Sequence, residues 1–380
     1  MIKSYKIRLY PTKEQEQLMW KHVGSCRFIW NWMLAKQEGL YKQGEKHLSA
    51  FDMMSFLTPL KKQEEYLWLK EVSNTSLKDI CRDLDKAYKM FFKKTSGFPK
   101  FKSRKKSKPN FPIRTDTLYF KDDKVLNVEK IGKVRYKTDF VFEYGRNACK
   151  FTNARVSYIN GKWILSFSME CENQVRELND ISMGIDLGVK DLAIVEYNGK
   201  PLVFHNINKS RQMRELGKRT KHLQRSISRK YEANRDGKKY NKTKNIEKQE
   251  ERLRKLYARQ SNIRRNYIHQ TTHKLVSLLP KRIVMEDLNV QGMMKNRHLS
   301  KAVQEQCFYE FIRQMEYKCA WNGIELAKAD RFYPSSKACS GCGCIKKDLK
   351  LSDRIYHCSD CGLVIDRDYN AAVNLSRYVA

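Results

Sequence analysis

Polar and apolar residues alternate from Lys3 to Tyr10 and the alternation stops at Pro11, as in a strand that meets a breaker. From Thr12, a good N-cap residue, the spacing turns helical. Leu18, Met19, Val23, Phe28, Ile29, Trp32 and Met33 recur at three- and four-residue steps and predict a core-facing helix. A second helix is predicted over Ser76 to Phe92, with Leu77, Ile80, Leu84, Ala87, Tyr88 and Phe91 on one face and Lys78, Arg82, Lys86 and Lys89 on the other. Between Asn110 and Cys171 the period falls to two, as in FTNARVSYING and KWILSFSMEC, and Asn160-Gly161 supplies a hairpin turn. That stretch reads as a small β-domain, a barrel or a sandwich.

After a polar linker, ENQVRELND, strands are predicted at Ile181 to Leu187, Leu192 to Tyr197, Leu202 to His205, Arg282 to Met285 and Ile324 to Lys328, with helices between them. No repeat of solenoid type is present, so the chain reads as a multidomain α+β protein.

Charge changes this picture most. The 380 residues hold 76 Lys and Arg against 42 Asp and Glu, a net charge of +34 that disfavours a compact state unless a polyanion neutralises it. Nucleic acid is the expected partner. Two segments concentrate the charge. Lys93 to Lys108 has eight Lys or Arg and no acid, and Lys209 to Tyr267 has 21 against six acids in helix-favouring sequence. The second reads as a phosphate-facing helix pair. Phe98 and Phe101, among the charges of the first, read as anchors onto a neighbouring domain in preference to base-stacking rings. No apolar run reaches the length of a membrane span, and the N-terminus lacks the apolar core of a secretory signal, so an intracellular protein is expected.

Three carboxylates stand where apolar strands end or a helix begins. Asp186 follows a buried-type strand in MGIDLGVKDLAIVEY; by itself it is equally a turn residue and a metal ligand, while Asp191 reads as the turn residue of the next hairpin. Glu286 closes the strand of KRIVMEDLNV, and its neighbour Asp287 must face the other way; Glu286 is the chosen ligand. In VIDRDYNAAVNL either Asp366 or Asp368 serves equally as the N-cap of an alanine-rich helix. Together they answer one chemical need, two Mg²⁺ ions about 3.5 to 4 Å apart that activate water and stabilise the leaving oxygen of a phosphodiester.

Of eleven cysteines, Cys339, Cys342, Cys358 and Cys361 read C-x-x-C, fifteen residues, C-x-x-C, the spacing of a four-thiolate structural zinc site holding one Zn²⁺. Cys344 and His357 lie beside them and are read as non-ligands. A closed four-thiolate site leaves no position for substrate, so the zinc is expected to be structural.

These residues resemble the TnpB family of transposon-encoded proteins, relatives of the type V CRISPR effectors. The likeness runs through YKIRLYPTKEQE, GSCRFIWN, DLDKAYKMFF, GFPKFKSRKK, GIDLGVKDLAIV, VMEDLNV, RQMEYKCAWNGIE, FYPSSKACSGCG and DRDYNAAVNL, nearly the whole chain. It implies that Asp186, Glu286 and Asp368, the Asp directly before x-N-A-A, form the catalytic metal-binding triad. It implies a wedge β-barrel domain from residues 1–10 and 100–180, a helical recognition domain at 11–99, and an RNase-H-like RuvC nuclease domain at 181–380. The last carries the basic helical insertion 209–267 and the zinc ribbon 337–363. It further implies a cytoplasmic protein, nucleoid-associated when on target, that binds as a monomer to one guide RNA made from the transposon end. With that guide it would recognise a short motif beside double-stranded target DNA and cut both strands with one site.

In such effectors the protein reads only the short flanking motif. Thr75, Ser76, Lys78, Asp79 and Arg82 offer donors and acceptors for base edges at the start of the second helix, while Lys105 and Lys106 are expected to meet phosphate alone. Two other functions compete: guide-dependent DNA binding without cleavage, which the intact triad opposes, and an RNA-independent RuvC-like nuclease or transposase, which the size of the positive charge opposes.

Overall fold

The computed structural model describes residues 1–146, 148–172, 176–237, 239–350 and 353–379, and the chain divides into two compact units, residues 1–172 and 173–380. Part of the predicted linker, residues 173–175, lies outside the described residues.

The first unit runs β1 (Ile2–Tyr10), α1 (Lys13–Lys42), α2 (Ala50–Ser55), α3 (Leu57–Leu60), α4 (Asn74–Phe92), β2 (Asn110–Pro112), β3 (Tyr119–Phe120), β4 (Val125–Val128), β5 (Gly132–Lys137), β6 (Phe151–Ile159) and β7 (Lys162–Glu170). The strands form one antiparallel sheet of order β2-β6-β7-β1-β5-β4-β3, with no pair joining its ends, β2 and β3, among the described residues. The sheet curls on itself, bringing Phe120 of β3 within 5.7 and 6.0 Å of the rings of Phe151 in β6 and Phe167 in β7. β1 lies at its centre, Leu9 opposite both Trp163 and Tyr136. Thr12 and Gln15 cap α1 reciprocally in a capping box. Asn160 and Gly161 join β6 to β7 with φ of 51° and 78°, the left-handed pair that a two-residue hairpin requires.

Met19, Ile29 and Met33 of α1 and Leu77 and Leu84 of α4 share one core with Phe111, Leu165 and Phe167 of the sheet. The expected helical and β-domains thus form a single unit, because the helices have no other apolar surface to bury against. Phe98 packs edge-on to Phe91 and Tyr88 of the preceding helix, with ring centroids 5.3 and 5.6 Å away, while Phe101 is exposed, so the expected anchoring onto a neighbouring domain becomes a local contact of Phe98 alone. Lys100 and Lys102 accept hydrogen bonds at their carbonyls from Trp30 and Asn31, so the basic connector is stitched to α1.

The second unit runs β8 (Asn179–Leu187), β9 (Asp191–Tyr197), β10 (Lys200–His205), α5 (Arg211–Ala233), β11 (Arg235–Asp236), β12 (Lys239–Tyr240), α6 (Lys244–Ser277), β13 (Pro280–Glu286), α7 (Val290–Lys295), α8 (Ser300–Gln306), α9 (Phe308–Asn322), β14 (Glu325–Ala329), β15 (Ile355–His357), β16 (Val364–Asp366) and α10 (Arg367–Ser376). Its main sheet has order β10-β9-β8-β13-β14. The first three strands pair antiparallel, and β13 pairs parallel with both β8 and β14. α6 and α9 cover it with Ile268, Leu275, Phe311 and Met315.

The basic segment is an antiparallel hairpin, α5 against α6. Tyr231 donates to Glu250 at its tip, and Gln260 donates to Thr220 nearer the sheet. Met213, Leu216 and Ile227 face inward, leaving Arg214, Lys218, Lys221, Arg225 and Arg229 exposed. Among the described residues no helix is long and apolar enough to cross a membrane.

Candidate active site and metal centre

The parallel pairing of β13 with β8 sets Met285 opposite Ile185, so the next residues, Glu286 and Asp186, come side by side at the ends of neighbouring strands. The third acid arrives on α10. An added Cβ at Gly184 would lie 1.9 Å from the Ala372 carbonyl oxygen and 2.4 Å from the Ser376 nitrogen, so the helix backbone rests directly on β8. Ser182 donates its hydroxyl to the Ser376 carbonyl at 2.6 Å. Strand and helix therefore run past each other in matched steps: 182 meets 376, 184 meets 372, and 186 comes next to 368. The match is physical, since two strand residues advance about 6.6 Å and four helical residues about 6 Å. Small residues at Gly184, Ala371 and Ala372 permit the approach.

Each acid has a rival in sequence, and the structure gives each rival another task. Asp366 caps α10, accepting the backbone N–H groups of Asp368 and Tyr369 at 3.0 Å each. Asp287 pairs with Arg331 at 2.6 Å, and Asp191 lies 2.8 Å from His205 Nδ1. Asp186, Glu286 and Asp368 remain. Glu286 accepts from the Ser335 hydroxyl, and Asp368 accepts from the Arg367 guanidinium at 2.7 Å, with Arg354 at 3.9 Å from its other oxygen.

Burial drives the Asp186 carboxyl well above its ordinary pKa, Glu286 and Asp368 push it further, and Arg367 pulls the other way. The site is a partly desolvated set of hard oxygen donors short of positive charge, the donor chemistry that Mg²⁺ takes. Among the described residues only four cysteines bring three or more ligand atoms within 4.8 Å of one another, so the three acids stand somewhat further apart, with Ser335 and Arg367 on their oxygens.

Those four cysteines are Cys339, Cys342, Cys358 and Cys361. Cys339 lies 3.6 Å from Cys361 and Cys342 3.6 Å from Cys358, sulfur to sulfur. Gly343 and Gly362 take positive φ just past each C-x-x-C, and the backbone amides of Cys361 and Asp360 draw the Cys358 thiol down to about 7. Cys344 and His357 stand outside the cluster of four. Residues 351 and 352, within the predicted ribbon, lie outside the described residues. The cluster suits a structural zinc. About one zinc per chain is expected by metal analysis, and Cys339→Ser or Cys361→Ser should release it and lower the melting temperature. A zinc-free protein of unchanged stability would refute this.

The ribbon is fastened to the helix that carries Asp368. Asn370, fully buried, donates to the Ala338 carbonyl at 2.7 Å and accepts from the Ser340 amide, and Asn374 donates to the carbonyls of Ser335 and Ala338. Gly184, Ser335, Arg367, Asn370 and Asn374 were not legible as site residues in sequence. Two signals were available: a glycine inside a strand, and two asparagines four apart in a helix interior that disfavours them.

The residues expected to read DNA divide. α4 begins at Asn74, capped by Ser73, and Ser76 is fully buried with its hydroxyl donating to the Pro112 carbonyl at 2.6 Å. Ser76 therefore cannot reach a base edge, because β2 covers the start of the helix. Thr75 is half-buried; Lys78 and Arg82 are exposed, with Arg82 pairing to Asp79, and Lys105 and Lys106 are exposed.

Three family models match parts of the chain. The model described as "Helix-turn-helix domain" of OrfB_IS605 matches residues 1–46, OrfB_IS605, described as "Probable transposase", matches 166–297, and the Cas12f1-like TNB domain matches 308–375. In this structure residues 1–46 hold a strand and one unbroken 30-residue helix, with no helix-turn-helix. A Streptomyces pristinaespiralis protein, provisionally named an RNA-guided DNA endonuclease, is 29% identical over 373 residues, 98% of this chain and 88% of its own. InsQ of Escherichia coli, with the same provisional name, is 30% identical over 394 residues, 98% of this chain and 91% of its own. A Cas12f1–sgRNA–target DNA complex contains a protein of shared fold, with a TM-score of 0.62 over 99% of this chain and 98% of that one at 14% identity. Given a 30% identical relative matched along almost its entire length, this chain belongs to the transposon-related TnpB family.

Proposed function

We propose that the protein is an RNA-guided DNA endonuclease of RuvC type, cutting both strands of guide-matched DNA with the single site formed by Asp186, Glu286 and Asp368. The observation that carries this is the gathering of three acids, 100 and 82 residues apart in the chain, where Glu286 and Asp368 act on the buried Asp186 carboxyl while Asp287 pairs with Arg331 and Asp366 caps α10. The relatives' names and the +34 charge support the RNA and DNA partners.

In this reading Asp186, Glu286 and Asp368 would hold two Mg²⁺ ions, which would supply a nucleophilic water and neutralise charge on the leaving oxygen. Asp186 would contribute a largely desolvated oxygen. Ser335 orients Glu286, and Arg367 holds Asp368 in place and sits where it can meet a phosphate oxygen. The zinc ribbon fixes the Ser335 loop and the start of α10 without touching substrate. The exposed cations of α5 offer a phosphate track for the guide or its heteroduplex, and the protein acts as a monomer on one guide RNA from the transposon end.

One experiment tests the whole reading. The protein purified with its RNA should absorb more at 260 than at 280 nm, and the sequenced RNA should name a target. That target, placed beside randomised flanks, should be cut at a subset of flanks only. Lys78→Ala or Arg82→Ala should relax that subset, since a base contact is worth about 1 to 3 kcal/mol. Substituting Lys105 and Lys106 together should weaken all flanks alike and lower the salt dependence. RNA-free protein that cuts duplex DNA unaided would favour the transposase or junction-nuclease reading.

A further inference from the structure

Between β14 and the first cysteine pair the chain reads Asp330-Arg331-Phe332-Tyr333-Pro334-Ser335, and it is pinned on both sides of Phe332. Arg331 pairs with Asp287 at 2.6 Å, the Phe332 amide donates to the Asp330 carboxylate at 2.8 Å, Tyr333 donates to the Asn374 carbonyl at 3.2 Å, and Ser335 holds Glu286. On this fastened backbone the Phe332 ring is 89% exposed, the most exposed large aromatic among the described residues. A lone exposed apolar side chain is ordinary. The position of this one is not. Ala329 pairs with Glu286 across the two strands, and Phe332 is three residues on, so its backbone stays within about 10 Å of Ala329 by chain length alone.

We propose that Phe332 is a stacking platform for an unpaired base of the DNA strand being cut, positioning that strand over the three carboxylates. The inference rests on the nuclease reading above. An unpaired base offers a π-face that any aromatic ring can take, and the pinned loop presents Phe332 to solvent, open to such a base. Set this close to Glu286, the stacked base lies within a few nucleotides of the cut. Phe332 is a positioning residue for substrate and leaves the chemistry to the acids.

The test is a cycle between ring and base. The protein with its copurified RNA is given targets in which one nucleotide at a time around the cut is abasic. Wild type should slow by about 10- to 100-fold at one position, the size expected of a lost stack. Phe332→Ala should slow equally on the intact target and lose its sensitivity to that abasic position, while Phe332→Trp retains both. An Ala variant as fast as wild type, or losses that multiply when ring and base are both absent, would overturn the proposal. A second readout needs no cleavage: 2-aminopurine at the same position, bound by Asp186→Ala protein, should be quenched in a way that Phe332→Ala abolishes. Quenching with no cutting by wild type would refute the nuclease reading and keep the platform; cutting without ring-dependent quenching would do the reverse.

Discussion

Asp186→Ala, Glu286→Ala and Asp368→Ala are each expected to lower target cleavage by about 10³-fold or more while leaving RNA retention and target binding near wild type, because each removes a group from the centre where charge develops and little packing. Their rivals set the scale. Asp366→Ala removes a helix cap, which costs about 1 kcal/mol of stability and should leave most of the cleavage. Asp287→Ala breaks an exposed pair with Arg331, worth about 0 to 1 kcal/mol. Ser335→Ala should fall between, at roughly 10- to 100-fold, as for a group that orients a metal ligand. Because Glu286 and Asp368 act on the buried Asp186 carboxyl, removing that one charge in Asp186→Asn should leave the protein no less heat-stable than wild type in metal-free buffer. A dead Asp366→Ala beside an active Asp368→Ala would show that the third ligand lies two residues earlier.

The second large effect is expected where no acid is touched. Gly184→Ala puts a methyl group 1.9 Å from one backbone atom of α10 and 2.4 Å from another, over 1 Å short of ordinary contact, and neither atom can swing aside as a side chain would. The helix must lift off β8. Overpacking of this kind typically costs 1 to 3 kcal/mol or more, and here about 3 kcal/mol is expected because a whole helix moves. Cleavage should fall further than stability does, since a displacement of about 1 Å in Asp368 is worth on the order of 10²-fold. Gly217→Ala is the control: it lies inside α5 with nothing within 4 Å of the added carbon, and should be neutral or stabilising by up to about 1 kcal/mol. Thermal melts and single-turnover cleavage of both variants decide the matter; wild-type behaviour of Gly184→Ala would mean that α10 does not rest on β8 in solution.

What the sequence determined by itself was local. The Thr12 cap, the Asn160-Gly161 hairpin, the strand that carries Asp186 near its end and the one that ends in Glu286, and the four clustered cysteines follow from turn chemistry, side-chain period and ligand spacing, which act over a few residues. The same local rules offered two acids at each of three places and could not choose between Asp366 and Asp368. The structure gives each rival a partner: the amides of its own helix for Asp366, the guanidinium of Arg331 for Asp287 and the ring of His205 for Asp191. Ser76 shows the limit in reverse: a polar residue on a helix reads as solvent-facing until Pro112 of a strand far along the chain closes over it. Likewise β1 acquires its partners only when Leu9 meets Trp163, and the glycine at 184 acquires its meaning only when α10 arrives. The reason is a shared one: propensity and periodicity describe how a segment treats its own next turn, whereas docking, ion pairing and burial depend on atoms from other segments, Pro112 for Ser76, Arg331 for Asp287, Trp163 for Leu9 and Ala372 for Gly184.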